Sequence, residues 1–199
     1  MRKKGNDIQP EKSALLKTIT LLVLVFWMLF LSAVFINVLE KKHIYPIVYG
    51  QTVGAAAKEY DVDTALIFSV IKTESGFNAH AVSDRGAIGL MQITPATGDY
   101  IAKKRGISEY DLKNAATNID FGCYYIRYLS DKFSGLTETM AAYNAGEGTV
   151  FRWLKNPDYS KDGVHLSSIP YNETDLYVKK IIKSLKRYRK LYGKLLDKF

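Results

Sequence analysis

Cysteine is almost missing from this chain. One residue, Cys123, occurs among 199, which excludes an intrachain disulfide and a four-cysteine metal centre. The role left to it is that of a small buried hydrophobe. Histidine is nearly as scarce: His43, His80 and His165 stand far apart without ligand spacing, so neither a metal nor another cofactor is expected. Strand signals are missing as well. There is no sustained alternation and no Asn-Gly or Asp-Gly pair between apolar runs, Asp162-Gly163 lying in a polar loop, so the domain is expected to be all-helical. A net positive charge is absent from most of the length. The formal charge is +8, yet residues 179–199 alone hold nine Lys or Arg against one Asp, so the preceding body is close to neutral. A basic tail on a neutral body is not a general nucleic-acid surface, and no nucleic-acid partner is expected.

What is present suits one domain with an appendage. Hydrophobic residues make up 47% of the chain, and 14 Tyr, 9 Phe and 2 Trp supply aromatic surface for packing or for stacking on sugars. The stretch "ITLLVLVFWMLFLSAVFI", residues 19–36, carries no charge and is about as long as a helix needs to cross a hydrocarbon layer of roughly 30 Å. The apolar region of a signal peptide is shorter and ends in small residues, whereas here Ser32 and Ala33 run into Val34 and Phe35 with no cleavage pattern. An uncleaved anchor is expected. Arg2, Lys3, Lys4, Lys12 and Lys17 precede it, against Lys41 and Lys42 after it, which points the N-terminus to the cytoplasm. The expected layout is a cytoplasmic tail over 1–17, a transmembrane helix over 18–38, a linker over 39–48 and one exported domain over 49–199.

Within that domain, periodicity and punctuation predict helices at roughly 47–60, 63–74, 94–104, 108–113, 117–134, 136–144, 147–154 and 173–192. The second ends unusually. "DTALIFSVIKTESG" starts on a capping Asp63, presents Leu66, Ile67, Val70 and Ile71 to a core and stops at Gly76. Glu74 falls in the last turn, where a helix favours cations. Apolar walls and the negative helix end would raise its pKa, allowing it to hold a proton near neutral pH and to donate it. From this helix alone, a solvated glutamate tolerated at a helix end remains the competing reading.

Three further segments carry polar groups beside glycines. "SDRGAIGLMQITPAT" places Gln92 between a glycine-punctuated turn and a Thr94-Pro95 helix start; it is either turn chemistry or a binding loop whose amide suits sugar hydroxyls. "MAAYNAGEGTVFRW" sets Tyr143 and Asn144 at a helix end, as a cap and a core ring or as ligand contacts. "IPYNETDLYVKKI" puts Glu173 four residues before Tyr177 on one face of a starting helix, where Glu173 either stabilises the helix N-terminus or belongs to a site. In the tail, Tyr177, Ile181, Leu185 and Tyr188 share an apolar face. The basic residues opposite are either merely solvated or drawn to anionic wall polymers or a membrane surface.

Taken together, "ESGFNAHAVSDRGAIGLMQITPAT", "NIDFGCYYIRYL", "AAYNAGEGTVFRW" and "IPYNETDLYV", in that order, resemble the soluble-lytic-transglycosylase catalytic domain of the goose-type lysozyme superfamily. The resemblance covers nearly all of residues 50–190. It implies a lysozyme-like helical domain that cleaves the β-1,4 bond between N-acetylmuramic acid and N-acetylglucosamine in peptidoglycan. Cleavage proceeds without water and leaves a 1,6-anhydro ring, for wall remodelling or local wall opening. It implies that Glu74 is the sole catalytic acid and base and that Ser75 orients it. Met91 and Gln92 would line the groove, and Tyr143 and Asn144 would contact the sugar, Asn144 steadying the N-acetyl group. Glu173 and Tyr177 would form the floor. Asp175 departs from the basic residue usual at that place. Ordinary glycosidases pair two carboxyls, and here no partner for Glu74 stands out, Asp84 lying in a polar loop. A hydrolytic muramidase on the same fold, or a non-catalytic wall-binding or scaffold protein of a secretion or division machine, are the other two readings. Partners expected are peptidoglycan strands, the cytoplasmic membrane and a wall or secretion apparatus.

Overall fold

The computed structural model describes residues 10–199, so the expectation resting on Arg2, Lys3 and Lys4 lies outside the described residues. The chain divides into two compact units, one ending at Pro46 and one spanning Ile47–Phe199. The first unit is a single apolar helix, α1 (Pro10–Leu39), continued by a π-helical turn over Glu40–Ile44. It is long and apolar enough to cross a membrane, and none of its apolar window is buried against protein. Its hydroxyls turn inward on the backbone: Thr18 donates to the Ala14 carbonyl (3.1 Å), Thr20 to Leu16 (2.9 Å) and Ser32 to Leu29 (2.8 Å). Polar groups satisfied within their own helix are what a non-aqueous surrounding demands.

The second unit is built from α2 (Gly50–Tyr60), α3 (Thr64–Glu74), α4 (Pro95–Arg105), α5 (Ala115–Ser130), α6 (Leu136–Ala145), α7 (Glu147–Leu154) and α8 (Asn172–Tyr192), with a short 3-10 turn over Gly193–Lys198. The described residues contain no strand, only two isolated bridges, Val82 with Ile88 and Ile88 with Ile93. At the centre lies α3, whose Ala65, Leu66, Ile67, Phe68, Ser69, Val70 and Ile71 are all buried. It packs against α8 and α2, while α6 packs against α8, α5 and α7. Phe68 stacks on Tyr188 of α8, with 5.5 Å between ring centres.

The expected helix at 108–113 does not form. Asp111 accepts from the backbone N–H of Lys113 (2.8 Å), and its carbonyl accepts from Asn114 N–H (3.1 Å). This local turn competes successfully with so short a helix. Asn114 then caps α5 by accepting from Thr117 N–H, so α5 begins and ends earlier than the expected 117–134.

Candidate active site

The last turn of α3 delivers Glu74 to the edge of the core. Asp63 starts that helix by accepting from the N–H groups of Ala65 (2.6 Å) and Leu66 (3.4 Å), and the chain leaves it through Gly76 in a left-handed conformation, φ +58°. Cap and exit fix the phase of α3, so the carboxyl follows the buried stripe. Desolvation pushes the Glu74 carboxyl up to about 7, opposed by one hydrogen bond: the Tyr177 hydroxyl donates to Oε1 at 2.7 Å. A carboxyl in this state is close to evenly divided between acid and base forms near neutral pH.

Two tyrosines accompany it. Tyr177 of α8 and Tyr143 of α6 both have hydroxyls held well above the ordinary tyrosine value, by burial and then by the negative charge of Glu74. Both therefore remain donors. Tyr143 donates to the Met91 carbonyl (2.8 Å) and Ser75 to the Leu90 carbonyl (2.8 Å), so successive carbonyls of the loop before α4 are fastened to α6 and to the end of α3. The third fastening is Asn118, fully buried on α5. Its Oδ1 accepts from Met91 N–H (2.7 Å), while its amide nitrogen donates to the carbonyls of Ile88 and Leu112 (both 2.8 Å). A Cβ on Gly89 (φ +79°) would collide with that amide, which is why glycine stands there.

The seven residues expected to accompany Glu74 in the site divide into distinct roles. Gln92, Tyr143, Asn144 and Glu173 line one cleft with Glu74, of about 430 Å3. Tyr177 sits behind the carboxyl as its hydrogen-bond donor, and Ser75 acts on the loop through Leu90. The Met91 side chain is fully buried, against Gly122, where a Cβ would strike its sulfur. Its side chain therefore does not line the groove as expected; only its backbone serves the site. The reason is the left-handed turn at Gly89 and Gln92 (φ +49°), which sends Met91 to the core and leaves Gln92 on the cleft side. Gln92 spends its amide nitrogen on the Gly89 carbonyl (2.9 Å), and Asn144 accepts from Thr174 Oγ1 (2.8 Å), leaving its amide nitrogen as the free donor.

Five lining residues, Ser83, Asp84, Arg85, Ala87 and Thr94, were not marked by the sequence as members of the site. Arg85, 82% exposed, faces Glu173, 70% exposed, at 3.5 Å across the cleft; so exposed a pair contributes little stability. Asp84, in its polar loop, lines the same cleft as Glu74, although the sequence did not single it out as a partner. The missed structural residue is Asn118, whose signal was a polar side chain inside the apolar stripe of "NIDFG". A larger cavity of about 560 Å3 lies elsewhere, at Asp63, Arg189 and Phe199. Asp63 there is already committed to its cap and to Arg189, whereas the smaller cleft holds the desolvated Glu74, so chemistry rather than volume selects the smaller cleft. Among the described residues no group of three His, Cys, Asp or Glu side chains converges as a metal site.

Residues 51–165 match the family described as the Transglycosylase SLT domain. This chain belongs to that family. The SLT domain here is 33% identical over 155 residues to the soluble lytic murein transglycosylase of Salmonella typhimurium, covering 75% of this chain and 24% of that protein. It is 38% identical over 121 residues to the membrane-bound lytic murein transglycosylase C of Histophilus somni, covering 54% and 33%. Among solved structures it resembles the 70 kDa soluble lytic transglycosylase of Escherichia coli, with a TM-score of 0.66 at 29% identity over 75% of this chain and 25% of that one. It also resembles an inactive glutamate-to-glutamine mutant of Slt from Pseudomonas aeruginosa, with a TM-score of 0.64 at 29% identity over 73% and 24%. The chain thus spans a quarter to a third of the length of these relatives. The all-α, lysozyme-like fold expected of the SLT domain is the fold observed.

Proposed function

We propose that this protein is a membrane-anchored lytic transglycosylase acting on peptidoglycan, cleaving the β-1,4 bond between N-acetylmuramic acid and N-acetylglucosamine to leave a 1,6-anhydro end. One observation carries the proposal: the Glu74 carboxyl, in a cleft of sugar-binding size, is desolvated until its pKa reaches about 7. In its acid form Glu74 protonates the glycosidic oxygen. The resulting carboxylate, still held by Tyr177, takes the proton from the C6 hydroxyl that closes the ring. A hydroxyl supplied by the substrate replaces the attacking water. The free amide nitrogen of Asn144 is placed to hold the carbonyl of an N-acetyl group. The relative whose glutamate-to-glutamine mutant is inactive supports one glutamate as decisive. The anchor is α1, with the N-terminus cytoplasmic and the SLT domain facing the wall; the length and apolarity of α1 support the anchoring and the flanking charge supports the orientation.

Asp84 in the same cleft favours a second reading, in which it activates water opposite Glu74 and the enzyme hydrolyses the bond. Both are tested by incubating the detergent-solubilised full chain and its Glu74→Gln variant with peptidoglycan and weighing the released fragments. Products lighter than hydrolytic ones by one water, absent with Glu74→Gln, are expected. Full-mass reducing products would replace the transglycosylase by a muramidase. No product from either protein would leave a wall-binding scaffold.

A further inference from the structure

Away from the cleft, the strongest unexplained feature is the outer face of α8. The helix buries Tyr177, Val178, Ile181, Ser184, Leu185, Tyr188 and Leu191. Turned away from that stripe and exposed are Lys180, Lys183, Lys186 and Lys190. At 3.6 residues per turn, Lys183, Lys186 and Lys190 share one line opposite Tyr188, with Lys180 at its margin. The acids of α8 are confined to its first turn, Glu173 and Asp175. Other cations of this helix are paired, Lys179 with Asp175 (2.6 Å) and Arg189 with Asp63. Like charges three and four residues apart weaken a helix, so an uninterrupted lysine stripe has a cost that solubility does not require. Leu176, seven residues before Lys183 on the same line, is 48% exposed. It adds an apolar contact to the basic face, the combination found where helices lie on lipid headgroups.

We infer that this face docks on the anionic phospholipid surface of the membrane that holds α1. The inference rests on the anchoring reading above. Chain length favours this occupant over any other polyanion. Residues 40–49, even fully extended, reach no farther than about 35 Å, so the bilayer is presented to α8 at high effective concentration for the life of the protein. Each lysine brought within a Debye length of anionic headgroups improves docking about fivefold. The first two turns of α8 also carry Glu173, which lines the cleft, and Tyr177, which holds Glu74. Docking therefore holds the cleft beside the bilayer, where it meets the glycan strands nearest the membrane.

The test uses the full chain in vesicles of phosphatidylcholine, alone or mixed with phosphatidylglycerol, and a membrane-impermeant lysine-acylating reagent read by mass spectrometry. Lys103 and Lys104 of α4, exposed on another helix, serve as internal references. Labelling at Lys180, Lys183, Lys186 and Lys190 is expected to fall several-fold in the phosphatidylglycerol vesicles. It should recover near 1 M salt, where the Debye length shrinks to about 3 Å. The double variant Lys183→Gln with Lys186→Gln is expected to restore labelling at Lys180 and Lys190 without salt. Equal labelling in both vesicle types overturns the inference. So does protection by a soluble phosphodiester polymer with none by vesicles, which would assign the face to a wall polymer. A chain that floats with neither vesicle overturns the anchoring itself, an outcome distinct from equal labelling on vesicles that carry the protein.

Discussion

Two helices of this chain contain long, largely apolar stretches, and they resolve that property in opposite ways. α3 buries Ala65 through Ile71 without a gap inside the domain. α1 leaves Leu21, Leu24, Phe26, Trp27, Phe30 and Phe35 exposed along its length, with no protein covering them. The difference lies in length and ends. The 11 residues of α3 rise only about 16 Å, which a domain can enclose and a bilayer cannot use. The 30 residues of α1 rise about 45 Å, longer than the diameter of a small domain. α3 has a capping aspartate at one end and a carboxyl at the other, whereas the apolar part of α1 has no such punctuation. Apolar composition disfavours water around both helices; length and punctuation say which surroundings would suit each.

The contrast breaks first under buried charge. Ile67→Asp is expected to cost on the order of 5 kcal/mol and to unfold the SLT domain, seen as lost thermal cooperativity by circular dichroism. Leu24→Asp costs about 3 kcal/mol of membrane insertion. It is expected to move the chain from vesicle-bound to soluble fractions while the domain's melting temperature stays put. A Leu24→Asp variant that melted as early as Ile67→Asp would end the comparison.

Next in size is the polar end of α3. Glu74→Gln is expected to lower anhydro-product formation about 10²–10⁴-fold, measured by initial rates on peptidoglycan. With the Glu74 pKa raised to about 7, the wild-type rate should decline as pH climbs through that value, because the proton donor is lost.

The same residue has a smaller and opposite effect on stability. Between the ordinary carboxyl range and about 7, the unfolded chain has released this proton and the folded chain still holds it. Folding stability therefore falls as pH rises through that window, and reaches its full loss above it. Glu74→Gln is expected to be more stable than wild type at pH 8 by on the order of 1–3 kcal/mol, the difference closing toward pH 4. Thermal melts across that range read it directly, and a difference that grew on acidification would contradict the desolvated carboxyl. Smallest is the other end of α3. Asp63→Ala removes the cap and is expected to cost about 1 kcal/mol, a few degrees of melting temperature, with the cleft intact.

Much of this was legible before any coordinates. The long apolar helix, the helical class, the boundaries of α3 and α7, and Glu74 at the end of an oily helix all follow from short-range pattern, because hydrophobic period and caps act within a few residues. The segment over 108–113 was not, because one aspartate turn outweighs a weak helical period over six residues. Met91 was misplaced for a related reason: whether a side chain in a glycine-rich turn faces the groove or the core depends on φ at Gly89 and Gln92, and two positive values reversed it.

The sequence by itself determined which segments leave water, which helix ends in an acid and which end of the chain is basic, since each is a property of neighbours along the chain. Only the tertiary structure decided that Tyr177, 103 positions away, holds Glu74, that Asn118 staples the loop beneath Gln92, and that Asp84 and Arg85 share the cleft. Desolvation and hydrogen bonding across such separations depend on packing between α3, α5, α6 and α8, and no local pattern encodes the distance between residues on different helices.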